Sequence, residues 1–121
     1  MKTKPMTATT TATSTADLIK PPFKIERVLL HLVTKGSINR LEAEKAPVFD
    51  HALNSTMSNE VKQRLGLSFT SLPERHSGYQ GLSVIYHRYQ LTDESADRAK
   101  VLINEYRLKR GADPVNWENA A

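Results

Sequence analysis

The stretch LNSTMSNEVKQRLG, Leu53 to Gly66, decides how the rest of the chain is read. Leu53, Met57, Val61 and Leu65 recur every four residues, so on a helix they stack along one narrow side that can be buried. At about 100° per residue, Thr56, Asn59 and Gln63 fall roughly opposite that side, with Ser55 and Lys62 at its edges. An apolar spine backed by Thr, Asn and Gln, rather than by Glu and Lys, carries the side chains that read base edges. Asn and Gln each match the N6 and N7 groups of adenine in the major groove. Asn54 or Ser55 supplies the N-cap, and Gly66 the left-handed residue that ends the helix. The competing reading is an ordinary surface helix that happens to be uncharged at three positions, and the neighbouring elements choose between the two.

Outward from this helix, the 121 residues fit one domain with a modest core, about 90 to 95 of them folded. No run approaches the roughly 20 apolar residues of a membrane span, and the opening MKTKPMTATTTATSTA lacks the apolar centre of a secretory signal. The absence of cysteine rules out a disulfide framework and a thiolate metal site, and fits a cytoplasmic protein. A net charge of +4 permits a polyanionic partner without requiring one. Residues 1–22 read as a disordered tail rich in Thr and Ala, closed by Pro21 and Pro22.

From Phe23 to Lys35, Ile25, Val28, Leu29, Leu32 and Val33 share one helical face, and Gly36 ends that helix. His31 has no companion at a metal-binding spacing. Ser37 is expected to cap a second helix, Ile38 to about Ala46, with Ile38 and Leu41 inward. Its capping box is incomplete, because Arg40 stands where an acid or amide belongs. Pro47 stops it. In the connection PVFDHAL, Val48 and Phe49 are expected to tuck into the core. Asp50 and His51 are adjacent in sequence, which does not bring side chains face to face on a helix, and no nucleophile accompanies them.

Beyond Gly66 the period changes to two. Leu67 to Ser71 reads as a short strand, LPERHSGYQG as a loop, and Leu82 to Leu91 as a returning strand. The loop tip then carries Arg75 and His76, and the second strand His87 and Arg88. Thr92 or Asp93 caps a last helix over residues 93–111, with acids in its first turn and Lys109 and Arg110 in its last. Its stripe of Ala99, Leu102, Ile103 and Tyr106 either closes the core or forms a homodimer contact, and the dimer contact is preferred. Residues 112–121, Trp117 included, read as a flexible tail.

The chain is therefore expected to be mainly α with a β-hairpin. Three helices followed by a two-stranded wing make a winged helix-turn-helix over residues 23–92, with a C-terminal helix beyond it. Glu26 to Lys45, His51 to Phe69 and Tyr86 to Leu91 together resemble the small winged helix-turn-helix proteins of bacteriophages and prophages. The more specific parts are the turn Gly36-Ser37-Ile38 with Leu41-Glu42-Ala43, the helix start Leu53-Asn54-Ser55-Thr56 and the strand end Tyr89-Gln90-Leu91. The resemblance implies double-stranded DNA binding and a mobile-element origin, and covers neither the tail nor the last helix. In this reading Thr56, Asn59 and Gln63 read bases, while Ser37, Ser55, Lys62, Arg75, His76 and Arg88 hold phosphates. The alternative is a winged-helix module that binds a host or phage regulator, because fold alone does not set function. It draws on a thin charge surplus: from Asn54 to Leu91, Lys62, Arg64, Arg75 and Arg88 stand against Glu60 and Glu74, a surplus of two. No phosphate loop, metal spacing or nucleophile motif is present, so neither a cofactor nor catalysis is expected.

Overall fold

The computed structural model describes residues 19–118. Helix α1, Lys24–Lys35, opens after an extended Phe23 and closes at Gly36, whose φ of 90° only a residue without Cβ adopts freely. The Gly36 N–H donates to the Leu32 carbonyl at 3.1 Å, satisfying one of the carbonyls a helix end leaves open. The chain then runs extended through Ile38, which exchanges both backbone hydrogen bonds with Tyr89 at 2.9 and 2.8 Å.

Helix α2 is shorter than expected, Arg40–Ala43, and Asn39 rather than Ser37 caps it. The capping box is complete: the Glu42 N–H donates to Asn39 Oδ1 at 2.9 Å, and the Asn39 N–H donates to Glu42 Oε1 at 3.2 Å. The frame Asn-x-x-Glu lies two residues beyond the Ser37 frame, because Ile38 is held in a bridge and cannot begin a helix. Leu41 therefore faces outward and Ala43 inward. Val48 is buried as expected, but Phe49 is 56% exposed. Its φ of 51° turns the ring away from the core at the point where Val48 enters it.

Helix α3 begins as an α turn, Leu53–Ser55, and continues over Thr56–Arg64 with the wider π pattern of bonding. The Leu65 N–H reaches back five residues, to Glu60, at 2.9 Å. An α ladder carries a side chain four places on about 40° past its predecessor, and a wider turn moves it back the other way. The combination keeps Leu53, Met57 and Val61 on one buried line. Each fully buried side chain of this kind contributes about 1.5–3 kcal/mol.

Strands β1, Phe69–Ser77, and β2, Ser83–Leu91, form an antiparallel hairpin in the register Phe69 to Leu91 through Ser77 to Ser83. Most of the segment expected to be loop is strand, and the turn shrinks to Gly78–Leu82. Arg75 and His76 lie on β1, not at a loop tip. Pro73 and the charges after it suggested a loop, yet a two-stranded sheet is all edge and tolerates a proline whose missing N–H would have faced solvent.

Helix α4, Asp93–Lys109, is capped by Thr92, whose hydroxyl accepts from the Ser95 N–H at 3.3 Å. Its stripe packs against α1: Ala99 and Ile103 are fully buried, and Leu102 and Tyr106 flank them. The stripe is spent inside the chain, which removes the basis for a homodimer through this helix. The end of α4 is tied down by Arg110, 8% exposed, whose guanidinium donates to both oxygens of Glu26 at 2.9 and 2.8 Å. Its Nη1 also donates to the Lys20 carbonyl at 3.1 Å, so residues 19–22 run back along the fold. The rest of the expected N-terminal tail, and residues 119–121, lie outside the described residues. Residues 112–118 pack rather than trail. Asn104 exchanges hydrogen bonds with the Val115 backbone at 2.7 and 3.1 Å, and Trp117 Nε1 donates to the Lys100 carbonyl at 3.2 Å. No helix among the described residues is long and apolar enough to cross a membrane.

The result is a small α+β arrangement of four helices and one antiparallel hairpin among the described residues.

Candidate nucleic-acid interface

On α3 the outward side carries Ser55, Ser58, Asn59, Lys62 and Gln63, all exposed. Asn59 Nδ2 donates to Ser55 Oγ one turn earlier at 3.1 Å, which orients the amide and leaves its oxygen and one N–H open. Thr56 departs from the expected outward row. It is 4% exposed, and its hydroxyl donates to the Ala52 carbonyl at 3.2 Å. Residues three and four places beyond Leu53 share its face, so the buried arc at the helix start takes in Thr56 together with Met57. Ser58, absent from the expected set, is the exposed hydroxyl in its place.

Alternation along the hairpin sorts its polar residues onto two faces. One face carries Ser71, Pro73 and Arg75 on β1 with Ile85, His87 and Tyr89 on β2. The Tyr89 hydroxyl donates to Asn54 Oδ1 at the start of α3 at 2.6 Å, so this face is the one turned toward α3. Burial raises the pKa of that hydroxyl and keeps it protonated, as a donor must be. Arg75 is exposed and has no carboxylate partner among the described residues.

The opposite face carries Glu74, His76, Tyr86 and Arg88, and here the expected phosphate ligands are already engaged. The Arg88 guanidinium donates to Glu74 through Nε, to Ser37 Oγ at 2.9 Å, and to both Glu42 oxygens at 3.1 and 3.2 Å. Asn39 Nδ2 adds a bond to Glu74 Oε1 at 3.0 Å, and His76 Nε2 lies 3.3 Å from the same oxygen, its ring against Tyr86. The hydrogen bonds from Arg88 and Asn39 hold the Glu74 carboxyl well below the usual carboxylate range, at about 2. Burial pushes Glu42 up, but bonds from Arg88 and Asn39 outweigh it and leave its carboxyl on the low side. Burial pushes His31 down, with Glu42 opposing, so the ring behind this cluster favours its neutral form. Arg88 thus ties the hairpin to Ser37 and to Glu42 of α2, with His76 beside Glu74 on β1, so these three expected phosphate ligands stand in a clamp of internal contacts. A guanidinium already bonded to two carboxylates has most of its donors committed.

Internal partners engage a cation of α3 as well. Arg64 is taken by the Tyr106 hydroxyl at 3.4 Å and by Glu60 at 2.6 Å. Lys62 and Arg75 are therefore the cations that make up the surplus between Asn54 and Leu91. Two depressions flank the helix: one of about 240 Å³ lined by Arg40, His51 and Asn54 among others, one of about 290 Å³ lined by Lys62, Gly66 and Phe69 among others. Both fall below the roughly 300–1,000 Å³ of a small-molecule pocket. Asp50, beside His51 in sequence, is buried and spends one oxygen accepting from the Ala52 N–H at 2.9 Å.

Two features of the site were missed in the sequence, only one of which left a signal there. The Asn39 to Glu42 frame was legible as a capping box two residues along from Ser37. The Tyr89 to Asn54 bond had none, because nothing local relates residues 35 positions apart. No family model, curated protein or solved structure matches the chain.

Proposed function

We propose that this chain is a non-enzymatic, sequence-specific binder of double-stranded DNA, built on the winged helix-turn-helix plan and acting as a cytoplasmic transcriptional regulator of phage or mobile-element type. The observation that carries the reading is the open row of Ser58, Asn59, Lys62 and Gln63 on α3, beside a hairpin face that presents Arg75 to the same side. Element order supports the winged plan, as does the Ile38 to Tyr89 bridge, which adds a short third strand at the root of the hairpin. Asn59 and Gln63 read base edges, Lys62 and Arg75 hold phosphates, and Ser55 orients Asn59.

The test compares specific with random duplexes across salt concentration, after selecting bound fragments from a random pool. Asn59→Ala is expected to narrow the gap between the two DNAs by about 1–3 kcal/mol. Arg75→Ala is expected to weaken both alike and flatten the salt slope by about one. Equal losses on both DNAs from Asn59→Ala would remove α3 as the reading element. A second reading, a module that docks on a host or phage regulator, draws on the clamp, which leaves few cations for phosphate. Absence of salt-dependent binding to any duplex would favour it.

A further inference from the structure

The two long edges of the hairpin are unlike. The Thr92 N–H donates to the Ser68 carbonyl at 3.1 Å at one end of the ladder, and the Gly78 N–H donates to Leu82 at the other. Bonded pairs alternate along an antiparallel ladder, so the even-numbered residues turn their backbone groups inward and the odd-numbered ones outward. The outward position at the middle of β1 is Pro73, which has no N–H, and Glu74 and Arg75 follow it. A proline and charges are what protect an edge from strand addition. On β2, up to the Ile38 bridge, the outward positions are Ser83, Ile85, His87 and Tyr89. Tyr89 is occupied by Ile38, and among the described residues nothing pairs with the other three. The segment SVIYH, Ser83 to His87, has no proline, no glycine and no acid, lysine or arginine, and it is rich in β-formers. Ile85 is 54% exposed and Leu82 beside it 66%.

We infer that this free edge of β2 pairs antiparallel with the same edge of a second copy, about a two-fold axis at Ile85. The three outward positions are symmetric about Ile85, so Ile85 meets its own copy while Ser83 meets His87 and His87 meets Ser83. Each is an outward position and can exchange both backbone bonds, and no pair sets like charges opposite each other. Beyond His87 the edge is closed, because the extended Asn39 next to the Ile38 bridge lies alongside Arg88, so the pairing runs over Ser83 to His87. The hairpins then form one four-stranded sheet closed by symmetry, with the Pro73 edges outermost. A two-fold axis perpendicular to a sheet keeps the same face of both copies on one side. The faces bearing Arg75, and both α3 helices, therefore lie together, and the surplus of two cations per copy becomes four. Only this last consequence rests on the DNA reading: it makes the target an inverted repeat. The pairing itself does not depend on it.

The chain has no cysteine, so single cysteines report the contact directly. Residues opposed in a bonded antiparallel pair have Cα atoms about 5.5 Å apart, inside the range a disulfide spans. With oxidised glutathione and no DNA, the full chain carrying Ile85→Cys is expected to link to its own copy. Ser83→Cys and His87→Cys are expected to link to each other when mixed and not when alone. Light scattering of the unmodified chain should show a dimer that dissociates on dilution. Ile85→Pro, which removes an outward N–H and no bond of the β1 to β2 ladder, should weaken the dimer at least tenfold with an unchanged circular dichroism spectrum. A monomeric chain at high concentration, a dimer indifferent to Ile85→Pro, or Ile85→Cys that does not cross-link would each overturn the pairing. Failure of DNA binding with cross-linking intact would overturn only the DNA reading.

Discussion

Arg75 and Arg88 sit on neighbouring strands of one hairpin, yet one is open to solvent and the other is gripped by Glu74, Glu42 and Ser37. The difference comes from parity. Arg75 has an odd place in the register and points to the α3 side, and Arg88 an even place and points to α2. The same residue type is thus a free charge on one face and a fastening on the other. Arg110 extends the comparison inward, being nearly dry against Glu26 where Arg88 is partly wet. The more completely an arginine and its carboxylate are withdrawn from water, the more its loss strands the partner left behind.

Arg110→Ala should therefore have the largest effect, about 3–5 kcal/mol lost in denaturant unfolding, because Glu26 is left buried and unpaired. A loss under about 1 kcal/mol would mean that water reaches the site. Arg88→Ala should cost less, on the order of 1–2 kcal/mol, since its side chain and that of Glu74 are 29% and 28% exposed and solvent screens both. It should also loosen the hairpin, read as faster hydrogen exchange across β1 and β2 than in α1. The Glu74 bonds carry an acid signature. A carboxyl held at about 2 when folded, against an ordinary 4.5, contributes stability that is complete above about 4.5 and lost as pH falls through about 2. The melting difference between the parent and Glu74→Gln should shrink over that window, and a difference that persists at pH 2 would detach it from the carboxylate. Arg75→Ala should have the smallest effect on stability, within about 0.5 kcal/mol. In the proposed DNA reading its effect falls on binding, and a stability loss as large as that of Arg88→Ala would erase the contrast between the two faces.

Much of the fold was legible because it is local. The spacing in α1, its stop at Gly36, the start of α4 at Thr92 and the apolar line of α3 all follow from residues within one or two turns of each other. The candidate site was half legible for the same reason. Asn59, Lys62 and Gln63 face outward as their spacing implies, whereas Thr56 does not, because the buried arc of α3 is set by what packs against its first turn. The length of β1 was hidden by Pro73, which argues for a loop until the strand is known to be an edge.

By itself the sequence determined the element order, the apolar line of each long helix and the absence of thiol chemistry, since these depend on residue type and short-range spacing. Tertiary structure alone decided which charges remain available. Glu42 reaches Arg88 across 46 positions and Glu26 reaches Arg110 across 84. An ion pair forms wherever folding brings opposite charges within bonding distance and away from water, and nothing in the neighbouring residues encodes that meeting.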